Sequence, residues 1–246
     1  MRFELEFSMK NEYLPFEYNR TFISFIKRSL EDYDDGKYYN DYYNVDLSKN
    51  HRKNFSWSVN LISPRFEKNG ISVQGKKIII TFVDQDRLSS FILFNAFSNQ
   101  VGKDFKVSNS NGIVLERITI PKYRKVTGNI VNFKMYSPLA IRIHNRESNE
   151  DRYLSVEDSD FIVEFKKSLE REFPKFKNEI EKLQLDFSGM KKQVVPLFGQ
   201  KIDVSIGNFL ISGDKELLKT MHENSVGSRK NAGFGVLSVE GSWELI

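Results

Sequence analysis

Residues 2–30 read RFELEFSMKNEYLPFEYNRTFISFIKRSL. Within this stretch the spacing of the apolar residues changes from every second residue to every third or fourth residue. Phe3, Leu5 and Phe7 alternate with polar residues, which predicts a strand buried on one face. Between residues 18 and 30 the apolar residues stand three or four apart, which predicts a helix. A strand followed by a helix is the first step of a mixed α+β unit.

The rest of the first half extends this order. Alternating apolar residues predict strands over 55–61, 71–83 and 105–120. A helix is predicted over 86–101, with its apolar side chains on or near one face: Leu88, Phe91, Ile92 and Phe94. The polar stretch 31–50, rich in Tyr and Asn, is predicted to be a loop. The resulting order is β-α-β-β-α-β.

The second half repeats the order. It has an extended stretch over 130–143 that breaks at Ser137-Pro138, and a helix that begins near Ser155, where Ser155-x-x-Asp158 forms a capping box. Strands over 183–187 and 201–211, a helix over 214–223 and a strand around 236–240 follow. The chain is therefore predicted to be an α+β protein of two tandem ferredoxin-like (RRM-like) domains with antiparallel sheets, residues 1–118 and 119–246.

The composition excludes several kinds of chemistry. The 246 residues carry 37 Lys+Arg and 33 Asp+Glu, a net charge of +4, and no Cys. Disulfides, Cys-ligated zinc and thiol nucleophiles are therefore excluded. The acid-containing N-terminus and the lack of any apolar window of about 18 residues predict neither a signal peptide nor a transmembrane helix. We expect a cytoplasmic protein without a membrane partner.

The basic residues are concentrated in two blocks. Residues 47–77 hold seven Lys and Arg against one acid, and residues 119–146 hold six and no acid, so each block carries +6. Such blocks can simply cover solvated faces. Their overlap with strands and aromatic residues favours a nucleic-acid ligand, because polyanion binding depends on the local potential.

The most specific segment, SVGSRKNAGFGVLSVEG, occupies residues 225–241. Glycines allow backbone N–H groups to approach a phosphate, and Arg229 and Lys230 supply countercharge. The segment is neither a P-loop nor a dinucleotide fingerprint, because the spacing differs and a strand follows it. It could equally be only a flexible hairpin connection.

Four segments together resemble one family, the CRISPR-associated endoribonucleases that cut precursor CRISPR RNA within each repeat. They are MRFELEF followed by LPFEYNR at 14–20, KNFSWS at 53–58, YSPLA at 136–140, and NAGFG at 231–235 through Gly241. The family usually has two Gly-x-Gly pairs near the C-terminus, whereas the first pair here is Ser225-Val-Gly227. The resemblance covers the whole chain and implies the tandem ferredoxin-like fold.

The resemblance also implies a metal-independent reaction. The 2′-OH attacks the adjacent phosphate and leaves a 2′,3′-cyclic phosphate and a 5′-OH. The family's active histidine lies in the loop after the first helix, where His51 stands, and its lysine enters the next strand, where Lys53 stands. We therefore expect His51 to be the general acid/base and Lys53 to stabilise the phosphorane, on the N-terminal domain. An exposed His51 without a role is the alternative.

Further site residues are expected on both halves. The predicted RNA contacts are Lys49, Arg52, Lys122, Arg124, Lys125, Arg142, Gly227, Arg229, Lys230, Gly233 and Gly235. His144 is expected at the surface or on RNA, and His222 is expected to be a polar residue at a helix end. The first helix lacks the Tyr or second His of some family members, and Tyr38, Tyr39, Tyr42 or Tyr43 could substitute.

The expected partner is therefore a precursor CRISPR RNA repeat, in antiviral defence. Effector-complex subunits and a homodimer are left open as further partners. No cofactor and no metal are expected, since the three histidines are scattered without an H-x-x-H pair. The alternatives are a non-catalytic RNA-binding subunit of a CRISPR effector complex and an unrelated small-molecule module.

Overall fold

A computed structural model describes residues 1–43, 55–108 and 111–244. The chain forms two compact units. The first consists of Met1–Phe55 and Val59–Pro121, and the second of Ser56–Ser58 and Lys122–Ile246. Among the described residues, every helix is too short or too polar to cross a membrane.

The stretch up to Pro121 contains eight strands and three α-helices among its described residues. In chain order they are β1 (Arg2–Met9), β2 (Tyr13–Leu14), α1 (Tyr18–Glu31), α2 (Lys37–Tyr43), β3 (Ser56–Leu61), β4 (Pro64–Phe66), β5 (Ile71–Val73), β6 (Lys77–Val83), α3 (Arg87–Ser98), β7 (Asp104–Lys106) and β8 (Gly112–Thr119). The main sheet has the order β3-β6-β1-β8-β7, and β2, β5 and β4 form a small second sheet. Without the edge strand β7, this is the strand order of a ferredoxin-like unit.

Aromatic residues connect the central strand of this sheet with both main helices. Phe3 on β1 lies opposite Phe82 on β6, and both side chains are buried. The ring of Phe7 meets that of Phe25 on α1 edge-on at 5.0 Å, and Phe3 lies 6.1 Å from Phe97 on α3. The alternation in residues 2–8 therefore places one face of β1 in the core, as the sequence predicts.

The stretch after Pro121 contains seven strands and three α-helices among its described residues. They are β9 (Ile130–Met135), β10 (Ile141–Asn145), β11 (Glu150–Leu154), α4 (Phe161–Glu172), α5 (Lys177–Glu181), β12 (Gln184–Asp186), β13 (Met190–Leu197), β14 (Gln200–Ser212), α6 (Lys215–Asn224) and β15 (Leu237–Trp243). The main sheet has the order β12-β14-β9-β15. Strand β13 pairs with β14, and β10 and β11 form a separate hairpin.

The second core is built in the same way as the first. Phe133 on β9 and Phe209 on β14 are buried neighbours whose ring centroids lie 5.7 Å apart. Phe165 from α4 meets Phe209 edge-on at 6.4 Å, and Met221 on α6 is fully buried in the same cluster. The tandem ferredoxin-like fold with antiparallel sheets, which the order of elements predicts, is confirmed.

Some element predictions are wrong. Helix α4 begins at Phe161 and not near Ser155, because Ser155 and Asp158 close a turn before it. Residues 37–43, predicted to be loop, form the short helix α2. Leu88 and Phe91 on α3 are exposed, because the helix turns a neighbouring face to the core.

Candidate nucleic-acid interface

The residues predicted to carry the chemistry lie outside the described part of the chain. Lys49, His51, Arg52 and Lys53 all fall within residues 44–54. Their role therefore stays a prediction. The described chain stops at the end of α2 and resumes with the buried Phe55, directly before β3.

Tyr42, one of the candidate tyrosines on α2, is linked to a buried carboxyl group. Its hydroxyl lies 2.5 Å from Ser89 Oγ, and Ser89 Oγ donates a hydrogen bond to Asp84 Oδ2. Burial raises the pKa of Asp84, although the hydrogen bonds from Ser89 and from the backbone of Asp86 oppose it. Burial also raises the pKa of Tyr42 to about 12, so at neutral pH this phenol keeps its proton.

The other tyrosines of this region stack in pairs. Tyr39 and Tyr43 lie 5.4 Å apart with nearly parallel rings, and Tyr33 stacks on Tyr38 at 5.9 Å. Lys27 on α1 places its ammonium 4.9 Å from the centre of the Tyr43 ring. Packing against α1 and against one another accounts for these rings.

The basic residues that follow the first unit are largely exposed. Lys122, Arg124 and Lys125 precede β9 in an irregular segment, and Arg124 Nη1 donates a hydrogen bond to the carbonyl oxygen of Glu240. Lys134 is exposed on β9, with Asn208 and Ser238 directly beside it on the neighbouring strands. These cations are available to a phosphate backbone.

The outer faces of the two main sheets differ in charge. On β1 of the first unit, the side chains that alternate with the core residues include Glu4 and Glu6, and Glu6 pairs with Arg117 at 2.9 Å. The corresponding face of the second sheet presents Lys134 between Asn208 and Ser238. Lys134 therefore offers a polyanion a cation on the second sheet, whereas Arg117 on the first sheet is already paired with Glu6.

The carboxylate of Asp151 on β11 gathers two of the predicted RNA contacts. Arg142 Nη1 and Arg229 Nη2 approach Asp151 Oδ2 at 3.0 and 2.8 Å, and His144 Nδ1 lies 2.8 Å from Oδ1. Arg229 Nε also donates to the Tyr153 hydroxyl at 2.7 Å. Partial burial opposes ionisation of Asp151, but the hydrogen bonds from His144 and Arg142 and the nearby guanidinium charges lower its pKa.

Sequence reasoning missed Asp151 and Tyr153. A signal was present, because pairing residues 141–145 with 150–154 as a hairpin places Arg142 opposite Tyr153 and His144 opposite Asp151. The turn residues between the two strands are the kind that mark such a hairpin.

The glycine-rich segment is tied to the rest of the second unit by its backbone. Val226 N donates to Gly235 O, Ser228 N to Ala140 O and Gly235 N to Pro138 O, at 2.8–2.9 Å. Gly235 has φ +80°, and a Cβ there would lie 1.9 Å from Val226 O. The segment is thus a packed loop, and Gly235 is required for its close approach to Val226.

Other loop groups bond to the start of β3, which belongs to the same unit. Ser56 Oγ lies 2.6 Å from Ser225 Oγ, and Trp57 Nε1 donates to Asn231 O at 3.0 Å. Gly227 and Gly233 also have positive φ values, +84° and +93°.

Two residues lie in a different environment from the one that the sequence predicts. Lys230, predicted to contact RNA, is only 9% exposed, and its Nζ lies 2.6 Å from Glu172 Oε1 and donates to Asn224 O at 3.1 Å. His222 stands in the last turn of α6, as the sequence predicts, but its ring is buried between aromatic rings, with centroids 5.7 Å from Tyr123 and 6.1 Å from Phe133. It is part of the core of the second unit.

Comparison with known proteins adds two findings. Residues 121–239 match the family model described as CRISPR associated protein Cas6, C-terminal. The solved structures similar to this chain include a RAMP protein binding different RNA substrates, with a TM-score of 0.79 and 19% identity over 98% of this chain and 100% of the other. No curated protein sequence matches the chain.

Two further structures have the same architecture. The product of a Cas6-related gene from Pyrococcus furiosus has a TM-score of 0.79 and 18% identity, and 99% of each chain is covered. A Cas6 product complex has a TM-score of 0.68 and 13% identity over 97% of this chain and 98% of the other. At these identities the likeness shows the shared fold, whereas the family model covers slightly less than half of the chain, the part that contains the glycine-rich loop.

Proposed function

We propose that the chain is a Cas6-type CRISPR-associated protein and that it is an endoribonuclease that cleaves precursor CRISPR RNA within its repeats. The match of residues 121–239 to the Cas6 C-terminal model carries this proposal. The exposed cations before and on β9 support it, because they offer countercharge to an RNA strand.

The proposed reaction needs no metal ion. The 2′-oxygen loses its proton to a base and attacks the adjacent phosphorus, while the 5′-oxygen accepts a proton as its bond to phosphorus breaks. The products are a 2′,3′-cyclic phosphate and a 5′-OH. Such a reaction requires a general acid/base and a cation beside the pentacoordinate phosphate.

We assign these roles to His51 and Lys53. Imidazole titrates near pH ~6.5 and can both accept and donate a proton at neutral pH. The Lys53 ammonium would neutralise developing charge on the phosphorane, and Lys49 and Arg52 would contact flanking phosphates. These assignments rest on the family resemblance. On the same basis we propose domains of 1–118 and 119–246, a cytoplasmic location and a role in antiviral defence.

The test is incubation of the purified protein with the CRISPR repeat RNA of its own genome in excess EDTA, followed by end-group analysis. We expect one cut per repeat and a cyclic phosphate or its opened form on the upstream fragment. Loss of cleavage on chelation would contradict the metal-independent mechanism.

Matched variants test the assigned residues. His51→Ala should abolish cleavage and keep RNA affinity, and Lys53→Ala should slow cleavage, while Lys103→Ala removes an exposed cation outside both basic blocks and should cut normally. If His51→Ala cuts at the wild-type rate, His51 is not the acid/base. If the wild type binds the repeat without cutting it, the protein is a non-catalytic RNA-binding subunit.

A further inference from the structure

A cavity of about 750 Å³ lies within the second unit. The β10–β11 hairpin, the turn that joins β13 to β14, and Arg229 from the glycine-rich segment form its walls. Its volume falls within the range of about 300–1,000 Å³ that is usual for small-ligand sites.

Phe198 lines this cavity in an unfavourable backbone conformation. Leu197 pairs with Gln200, so that Phe198 and Gly199 form a two-residue turn with φ values of +52° and +81°. Positive φ at the first position of such a turn suits Asn, Asp or Gly, and a bulky aromatic residue is disfavoured there. Phe198 is nevertheless 47% exposed, so core packing does not explain the choice of residue.

Two further residues in the cavity wall have left-handed backbone conformations. Asn149 has φ +52° and Arg229 has φ +59°. Arg229 is thus a second bulky residue in this conformation on the cavity wall, whereas positive φ is ordinary for Asn149, which stands in the β10–β11 turn. Such conformations cluster at ligand sites, where the surrounding structure maintains them.

The charges of the cavity wall balance. Glu150 and Asp151 stand against Arg152 and Arg229, and the Asp151 carboxylate is already bonded to Arg229. A balanced wall has little attraction for a phosphate group. It offers instead aromatic rings and the side-chain amides of Asn149 and Gln200, which can donate and accept hydrogen bonds. The amide oxygen of Asn145 already accepts from the backbone of the β10–β11 turn, so this residue offers its NH2 group as a donor.

We propose that this cavity binds one unpaired base of an RNA strand, with the base stacked on Phe198 and its polar edge bonded by the amides. A base is flat, neutral and polar at its edge, which matches the wall, and single-stranded RNA is commonly read by stacking on aromatic side chains. The inference rests on the proposed function for its ligand, but it concerns binding and not cleavage.

Substitution at Phe198 separates the role of the ring from that of the turn. Phe198→Asn removes the ring and introduces the residue that the turn prefers, so the melting temperature should stay or rise while RNA binding weakens. We expect the dissociation constant for fluorescently labelled single-stranded repeat RNA to rise about 5- to 150-fold. Phe198→Tyr keeps a stacking ring and should bind like the wild type.

A control comes from the same hairpin. Val194 on β13 is 50% exposed and lies outside the cavity wall, and Val194→Thr removes apolar surface while keeping the branched shape. This variant should bind RNA within about twofold of the wild type. Weakening equal to that of Phe198→Asn would assign the effect to the general apolar surface and overturn the proposal.

Single abasic substitutions along the RNA locate the base. In the wild type, one abasic position should weaken binding about as much as Phe198→Asn does, and in Phe198→Asn the same abasic position should cost nothing further. Unchanged affinity in Phe198→Asn, or losses that simply add at every position, would overturn the proposal. If either of these results is found while the wild type still cuts the RNA, only the cavity inference fails. A wild type that binds no RNA contradicts the proposed function as well.

Discussion

Lys230 shows how a basic residue beside a glycine-rich motif can have a structural role. The sequence predicts a phosphate contact, but the side chain extends inward from the loop to Glu172 on α4. Both side chains are largely buried, with 9% and 14% of their surfaces exposed. Breaking one partner of such a pair is costly, because the other charge stays in a poorly hydrated site.

Lys230→Met should therefore lower the free energy of unfolding by about 3 kcal/mol. Chemical denaturation measures this loss. Lys215→Met is the matched control, since Lys215 pairs with Glu244 at the surface and an exposed pair contributes about 0–1 kcal/mol.

The salt dependence of RNA binding distinguishes the two roles of Lys230. If the ammonium belongs to Glu172, the slope of log affinity against log salt should be the same for wild type and Lys230→Met. A slope smaller by about one would instead place Lys230 on a phosphate and support the sequence-based prediction.

Among the elements, the glycine-rich loop depends most on a single residue type. Gly235→Ala should destabilise the second unit by several kcal/mol, because a positive φ and an overlap with Val226 O act together. Gly102→Ala is the control: its φ of +77° is nearly the same, but no atom lies within 4 Å of the added Cβ. The control should cost only about 1 kcal/mol.

Thermal unfolding of both variants measures the difference. Equal losses for Gly235→Ala and Gly102→Ala would mean that the backbone conformation alone matters and that the contact with Val226 does not constrain the loop. A larger loss for Gly235→Ala assigns the excess to the close backbone approach.

A helix or strand can be predicted from the sequence when its apolar residues follow a local periodic pattern. Strand β1 and helix α1 are predicted because their apolar spacing is local and one face of each is buried. Helix α2 is missed because KYYNDYY has no fully buried residue and hence no apolar stripe. Strand β13 is missed for a similar reason, since only its end residues are buried.

The start of α4 and the contacts of Asp151 show what the sequence alone could not predict near the candidate site. Ser155 and Asp158 have the spacing of a capping box, but their hydrogen bonds close a turn that ends before α4 begins at Phe161. Asp151 gains its partners through strand pairing and through a loop 78 residues away, neither of which local spacing reveals. The catalytic assignment to His51 and Lys53 stays a prediction.

For the whole molecule, the positions of the charged residues are more informative than the net charge. The net charge of +4 conceals the carboxylates of Glu4 and Glu6 on β1 and an exposed Lys134 on β9. The same arrangement determines the response to acid, since carboxylates bonded to cations or backbone amides are stabilised in their ionised form. Asp84 is the opposite case, because burial raises its pKa.

Asp158 allows the acid response to be tested. Its carboxylate accepts hydrogen bonds from Ser155 N at 2.9 Å and from Arg152 at 3.1 Å. The backbone hydrogen bond from Ser155, then its hydroxyl and Arg152, lower the pKa of Asp158 below its ordinary value of 3.8. A lowered pKa favours the folded state above about pH 4, and this stabilisation disappears as the pH falls through the folded value.

Asp158→Asn should therefore unfold more easily than the wild type at pH 6, and the difference should shrink toward zero near pH 2. Urea unfolding followed by tryptophan fluorescence suits this comparison, because the two tryptophans, Trp57 and Trp243, both belong to the second unit, as does Asp158. A stability difference that is constant from pH 6 to pH 2 would show that Asp158→Asn acts through altered hydrogen-bond geometry and not through the loss of the negative charge. The ionised carboxylate would then have no part in stabilising the turn before α4.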